Sequence, residues 1–172
     1  MFKHAPYRTL VERMLEQHEP FPAFAINRWW ELVRANRPAK LLFGEVPEGT
    51  DLVQLTMGAG GIGERIRNLS DVVAAATERL RRELEESPSD ERLAALVARA
   101  EARARELPPP TGPVGPVVCP VLDMGNGVEL RTITAIAQFN APRAVTLDEL
   151  RVELIYPADA TTEAMFRSLA AN

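Results

Sequence analysis

Few residues in this chain have the type and spacing to do chemistry. Gly58, Gly60 and Gly63 match G-x-G-x-x-G, within Gly58-Ala59-Gly60-Gly61-Ile62-Gly63, and a helix-period stretch follows. Such a turn can lay backbone amides on a dinucleotide pyrophosphate at a helix start. That chemistry also needs a second parallel strand within about 30 residues, ending in an acid. Here helical periodicity runs on to Glu86 and another helical stretch follows, so a flexible connector is the stronger reading.

Cys119 is the single cysteine, which excludes an internal disulfide framework and a multi-cysteine zinc site. A nucleophilic thiol needs a base. Neither His4 nor His18 is marked as one, and both read as helix surface or helix end. No Ser/His/Asp set or carboxylate pair stands out, so neither an enzyme nor a bound metal or cofactor is expected. Trp29 and Trp30 are adjacent on an expected strand and should point to opposite faces. One enters the core; the other needs a helix or a ligand as cover, and packing is the stronger use. Arg79, Arg81, Arg82, Arg99, Arg103 and Arg105 alternate with Glu78, Glu83, Glu85, Glu101 and Glu106, the pattern of a solvated, ion-paired helix face.

These residues belong to a chain of 172 residues, 46% hydrophobic and 26% charged, enough for one domain with its own core. A net charge of −4 argues against nucleic-acid binding through bulk electrostatics. No targeting segment is visible, and runs such as 72–76 fall far short of a membrane span, so a cytoplasmic, non-membrane protein is expected.

The elements that must position these side chains can be read in order. Leu10, Val11, Met14 and Leu15 predict a helix over 6–18, stopped by Pro20 and Pro22. Residues 23–26 and 29–35 read as a hairpin split by Asn27-Arg28. Asn36 suits an N-cap, with Pro38 in the first turn and Gly44 as the stop. Residues 51–57 are ambiguous between helix and strand. Ile62, Ile66, Leu69, Val73, Ala76, Leu80 and Leu84 trace one face of a long helix. Leu93, Leu96, Val97, Ala100, Ala104 and Leu107 trace the next, antiparallel to it. A proline-rich loop over 108–120 leads to strands at 117–124 and 128–139 around Gly125-Asn126-Gly127. A helical turn at 146–149, a strand from Leu150 to Tyr156 and a helix capped by Asp159 complete the chain. The order predicts an α+β fold: a PAS-like five-stranded antiparallel sheet, with helices inserted between strands 2 and 3.

Two long blocks carry a resemblance. His18-Glu19-Pro20-Phe21-Pro22-Ala23 and Asn27-Arg28-Trp29-Trp30-Glu31-Leu32-Val33-Arg34-Ala35-Asn36 resemble the opening of the ligand-binding domain of MmyB-like transcription regulators. Phe139-Asn140-Ala141-Pro142-Arg143-Ala144-Val145-Thr146-Leu147-Asp148-Glu149-Leu150-Arg151-Val152-Glu153 and Tyr156-Pro157-Ala158-Asp159-Ala160 resemble its close. Ile66-Arg67-Asn68-Leu69 matches more loosely. The resemblance spans about residues 10–170. The chain departs from the family at Leu154-Ile155-Tyr156, where the closing strand is rich in phenylalanine, and at Asn140, a place often held by glycine. The 58–63 stretch also replaces a connector of different composition.

The resemblance implies a bacterial regulator in which a helix-turn-helix DNA-binding domain precedes a PAS-like sensor of a small molecule, with fatty acids or other lipids as candidates. No helix-turn-helix is recognisable before Pro20. Residues 1–19 are therefore expected to be a connecting helix and 20–172 the sensor, with DNA reached only through an N-terminal domain. The implied mechanism is population shift, not chemistry. Pocket candidates are Phe24, Ile26, Trp30 and Leu32 on the first hairpin. Phe43, Leu55, Ile62, Ile66 and Leu69 are candidates on the helices, with Ile133 and Leu154 on the later strands. Arg34, Arg65 or Asn36 could hold a carboxylate head group, although Asn36 is better explained as a cap. The alternative is a ligand-free homodimerisation module of the same regulator.

Overall fold

The computed structural model describes residues 5–58, 60–112, 119–139 and 150–171. Helix α1 (Ala5–Gln17) is followed by strands β1 (Ala23–Ile26) and β2 (Leu32–Ala35). Helices α2 (Arg37–Phe43) and α3 (Leu52–Met57), a 3-10 turn (Ile62–Arg65), and helices α4 (Leu69–Glu86) and α5 (Glu91–Glu106) come next. Strands β3 (Val121–Asp123), β4 (Glu129–Gln138) and β5 (Arg151–Pro157) precede helix α6 (Ala160–Ala171). The strands form one five-stranded sheet in the order β2-β1-β5-β4-β3, with every neighbouring pair antiparallel. This is the expected α+β, PAS-like fold, with α2 to α5 inserted between β2 and β3.

Local chemistry sets several boundaries. Asn36 Oδ1 accepts from Ala39 N and starts α2; Asp51 and Asp90 do the same for α3 and α5, and Asp159 accepts from Thr162 N to start α6. An N-cap at Asp51 settles 51–57 as helix. Gly125, Asn126 and Gly127 all have positive φ (82°, 52° and 78°), as a tight β3–β4 turn requires.

The sheet has two working faces. Its inner face carries α3, α4 and α5, whose core gathers Ile26, Val53, Met57, Val73, Leu80, Leu93 and Leu96. A second cluster joins Leu42, Ile66, Leu122, Leu130, Ile155 and Phe166 beneath α2 and α6. The outer face carries α1, where Val11 and Leu15 pack on Ala23, Ala25 and Val152.

Three expectations need correction. The tryptophans are in the hairpin turn, not on a strand. Asn27 Oδ1 accepts from Trp29 N and Glu31 N, and the chain passes through Trp30 in the left-handed region (φ 59°). Both indoles therefore reach the same helix pair, not opposite faces. Trp29 Nε1 donates to Asp90 and Trp30 Nε1 to Glu83. Second, the stretch 62–68 is not the first part of the long helix; α4 begins at Leu69. Third, Gly61 and Gly63 are close-packed against α3, not part of a loose connector. A Cβ on Gly61 would lie 2.1 Å from the Leu55 carbonyl oxygen, and one on Gly63 2.0 Å from that of Thr56. These glycines face carbonyl oxygens, which repel a phosphate. The expected turn at 146–149, the onset of the strand at 117–118, and His4 lie outside the described residues.

Candidate functional site

A cavity of about 160 Å³ lies between the inner face of the sheet and the inserted helices. Each wall comes from a different element. Phe24, Ile26, Leu32 and Ala35 line it from β1 and β2, and Thr132, Thr134, Glu153 and Ile155 from β4 and β5. Ala39, Lys40 and Phe43 come from α2, Leu55 and Met57 from α3, Ile62 from the 3-10 turn, and Ala76 and Arg79 from α4. Exposed Lys40 and Gly44, with half-buried Val46, Phe43, Leu55 and Ile62, border the cavity on the α2–α3 side. Close-packed Gly61 and Gly63 shape this border by letting the 3-10 turn fold back against α3, with Ile62 in the wall.

The sequence-predicted residues divide cleanly. Phe24, Ile26, Trp30, Leu32, Phe43, Leu55, Ile62 and Ile66 all line the cavity. Leu69 packs between the two inner core clusters. Ile133 and Leu154 sit on the wrong side of the sheet: Leu154 packs with the α1 cluster, and Ile133 is 42% exposed. The reason is strand parity. Inner positions alternate, so Thr132 and Thr134 face in and Ile133 faces out, while Glu153 and Ile155 face in and Leu154 faces out.

The three expected head-group donors are also engaged elsewhere. Arg34 pairs with Glu12 at 3.2 Å and Glu48 at 3.0 Å. Arg65 donates to the Leu42 carbonyl and lies 3.0 Å from Met124 Sδ. Asn36 uses its whole amide. Oδ1 accepts from Ala23 N and Ala39 N at 3.0 Å each, and Nδ2 donates to the Leu15 and Phe21 carbonyls.

The buried charge in the wall comes from Arg79, whose helical spacing reads as surface, and from Glu153 on β5. Arg79 Nε donates to Glu83 Oε1 at 3.2 Å, and its Nη2 lies 2.8 Å from Glu153 Oε1. That second contact is an ion pair without hydrogen-bond alignment, and Nη2 is fully buried. The Arg79 guanidinium stacks over Trp30 at 4.4 Å, while Trp30 Nε1 donates to Glu83 Oε2 at 2.9 Å. Arg151 pairs with Glu83 from β5 and donates to the Asn27 carbonyl. Burial, then the nearby Arg79 charge, lower the Arg151 pKa to about 9, so it stays protonated at neutral pH. Arg79, Arg151, Glu83 and Glu153 sum to zero charge. Strands at one end of the chain and a helix in its middle meet here, which no sequence spacing signals.

Thr134 adds a polar group of a different kind. It is 7% exposed and lines the cavity. Among the described residues its hydroxyl has no hydrogen-bond partner, whereas Thr132 Oγ1 donates to the Pro120 carbonyl at 2.8 Å. On the outer side, His18 Nε2 lies 2.9 Å from the carbonyl of the cavity residue Ile155, and its ring meets Tyr156 edge-on at 4.7 Å. Desolvation holds the His18 pKa below its ordinary value, partly opposed by that carbonyl.

Among the described residues no group of three or more His, Cys, Asp or Glu could hold a metal ion, and no helix is long and apolar enough to cross a membrane. No curated protein matches the chain. A family model does: residues 7–169 match the MmyB-like transcription regulator ligand binding domain. With an apolar cavity inside a PAS-like sheet and that match over nearly its whole length, the chain belongs to the MmyB-like ligand-binding domain family.

Proposed function

We propose that this chain is the effector-sensing domain of a bacterial transcription regulator and that the cavity takes a small apolar or amphipathic molecule. The cavity itself supports this reading most directly: apolar walls around a few fixed polar groups are the usual make-up of a small-molecule site. Its volume is close to that of an apolar cavity of about 150 Å³ that accepts benzene. A fatty acid, the candidate suggested by the family, therefore needs room beyond it, between Phe43, Leu55 and Ile62.

The relay is a change of population in one shared sheet. Phe24, Ile26 and Ile155 touch the cavity, and Ala23, Ala25 and Val152 of the same strands carry α1 on the other face. His18, just beyond α1, bonds the carbonyl of Ile155. A DNA-binding domain joined upstream through α1 would feel any shift of these strands, in the cytoplasm. Association of two copies is a second reading, favoured by Ile133 and Tyr156. They are register partners on the outer face and about two-fifths exposed. Sedimentation at rising concentration tests it.

Organic extraction of purified protein, followed by mass spectrometry, tests the sensing reading. One amphiphile at near one equivalent is expected, and Ala76→Leu, which fills the wall from α4, should remove it. Failure to recover or bind any apolar molecule overturns the reading.

A further inference from the structure

We infer that the cavity selects an uncharged, hydroxyl-bearing amphiphile over a carboxylate. This rests on reading the cavity as the effector site. The buried cation of the wall, Arg79, is already matched by Glu83 and Glu153, and Glu83 also pairs with Arg151. Two Arg79 nitrogens face those carboxylates, and Nη2 is fully buried. A ligand carboxylate would come in beside Glu153 as a third anion around one guanidinium. Like charges brought together in a poorly solvated place repel strongly. The other cation in the wall, Lys40, is exposed at the border, where water screens it.

A hydroxyl fits what is left. Thr134 stands opposite Ile155 in the β4–β5 register, so Glu153 is its diagonal neighbour on the same face. Diagonal cross-strand residues are about 7–8 Å apart at Cα, and O–H···O bonds run about 2.7–2.8 Å each. One hydroxyl between them donates to Glu153 and accepts from Thr134, pairing a threonine that is nine-tenths buried and otherwise unpartnered among the described residues. A carboxylate has no proton to give Glu153.

The test uses three probes on the whole chain at pH 8, followed by calorimetry: 1-octanol, octanoate and benzene. Octanol is expected to bind at least about tenfold more tightly than octanoate. Thr134→Val, which keeps the shape and removes only an unpartnered hydroxyl, should weaken octanol about fivefold, the size of one neutral hydrogen bond. Benzene, which makes no hydrogen bond, should not weaken in this variant, and Thr134→Ser should keep octanol binding. Octanoate binding as tightly as octanol, or octanol indifferent to Thr134→Val, overturns this inference alone if benzene binds. If none of the three probes binds, the sensing reading falls with it.

Discussion

Replacing Glu153 by leucine removes one of the two carboxylates that balance Arg79 and Arg151. Arg79 and Arg151 are then left to share Glu83. The lost pair is tight, 2.8 Å between Arg79 Nη2 and Glu153 Oε1, and nearly dry, with side chains 17% and 13% exposed. Two unit charges about 4 Å apart interact by about 4 kcal/mol at an effective dielectric of 20. Breaking a buried pair by removing one partner costs about 3–5 kcal/mol. Residual exposure and the desolvation of Glu153, no longer needed, lower the expectation to about 2–4 kcal/mol. At about 2–4 °C per kcal/mol for a domain of this size, melting should fall by roughly 5–15 °C. Removing both charges behaves differently. Arg79→Met with Glu153→Leu leaves Glu83 matched by Arg151 alone, and should return to within about 1 kcal/mol of the parent protein. Urea unfolding of the two single variants and the double variant, read as a double-mutant cycle, measures the coupling. A Glu153→Leu loss under about 0.5 kcal/mol, or a double variant that simply adds the two losses, would refute the balanced-cluster argument.

Other outcomes follow from the same structure. Asn36→Ala removes four hydrogen bonds that join α1, β1 and α2, and should cost at least about 3 kcal/mol in urea unfolding. Gly63→Ala drives a Cβ against the fixed Thr56 carbonyl and should cost about 2 kcal/mol or more, whereas Gly112→Ala, with nothing within 4 Å, meets no such clash. The His18 pKa is lowered by burial, so the native state binds fewer protons there than the unfolded chain, whose histidine titrates near 6.5. The stabilisation from His18 is full above about pH 6.5 and is lost as pH falls. Unfolding midpoints between pH 7 and 5 should decline less steeply in His18→Gln than in the parent.

Much of this protein could be read along the chain. The capping residues Asn36 and Asp159, the Gly125-Asn126-Gly127 turn and the apolar stripes of α4 and α5 are local features. They act through the nearest few residues, and they set the element order and with it the five-stranded sheet. The apolar residues of β1 and α2 that border the cavity stand beside clear proline and cap signals, whereas the 3-10 turn that carries Ile62 has no side-chain cap and reads along the chain as part of the long helix. The family was also carried by contiguous blocks at the two ends.

Tertiary structure alone decided which residues give the cavity its chemistry. In β4 and β5 both parities hold apolar or small residues, and a shift of one residue exchanges the faces of a strand. The pattern therefore could not say that Thr134 and Glu153 turn inward while Ile133 and Leu154 turn outward. Nor could helical spacing separate Arg79 and Glu83 from the solvated arginines and glutamates around them. Arg79 becomes part of the cavity wall, with Glu83 bonded to it, because α4 lies across β5, which brings residues about 70 positions apart into contact. Charge balance in a buried site depends on such distant neighbours, and burial gives the charges their strength.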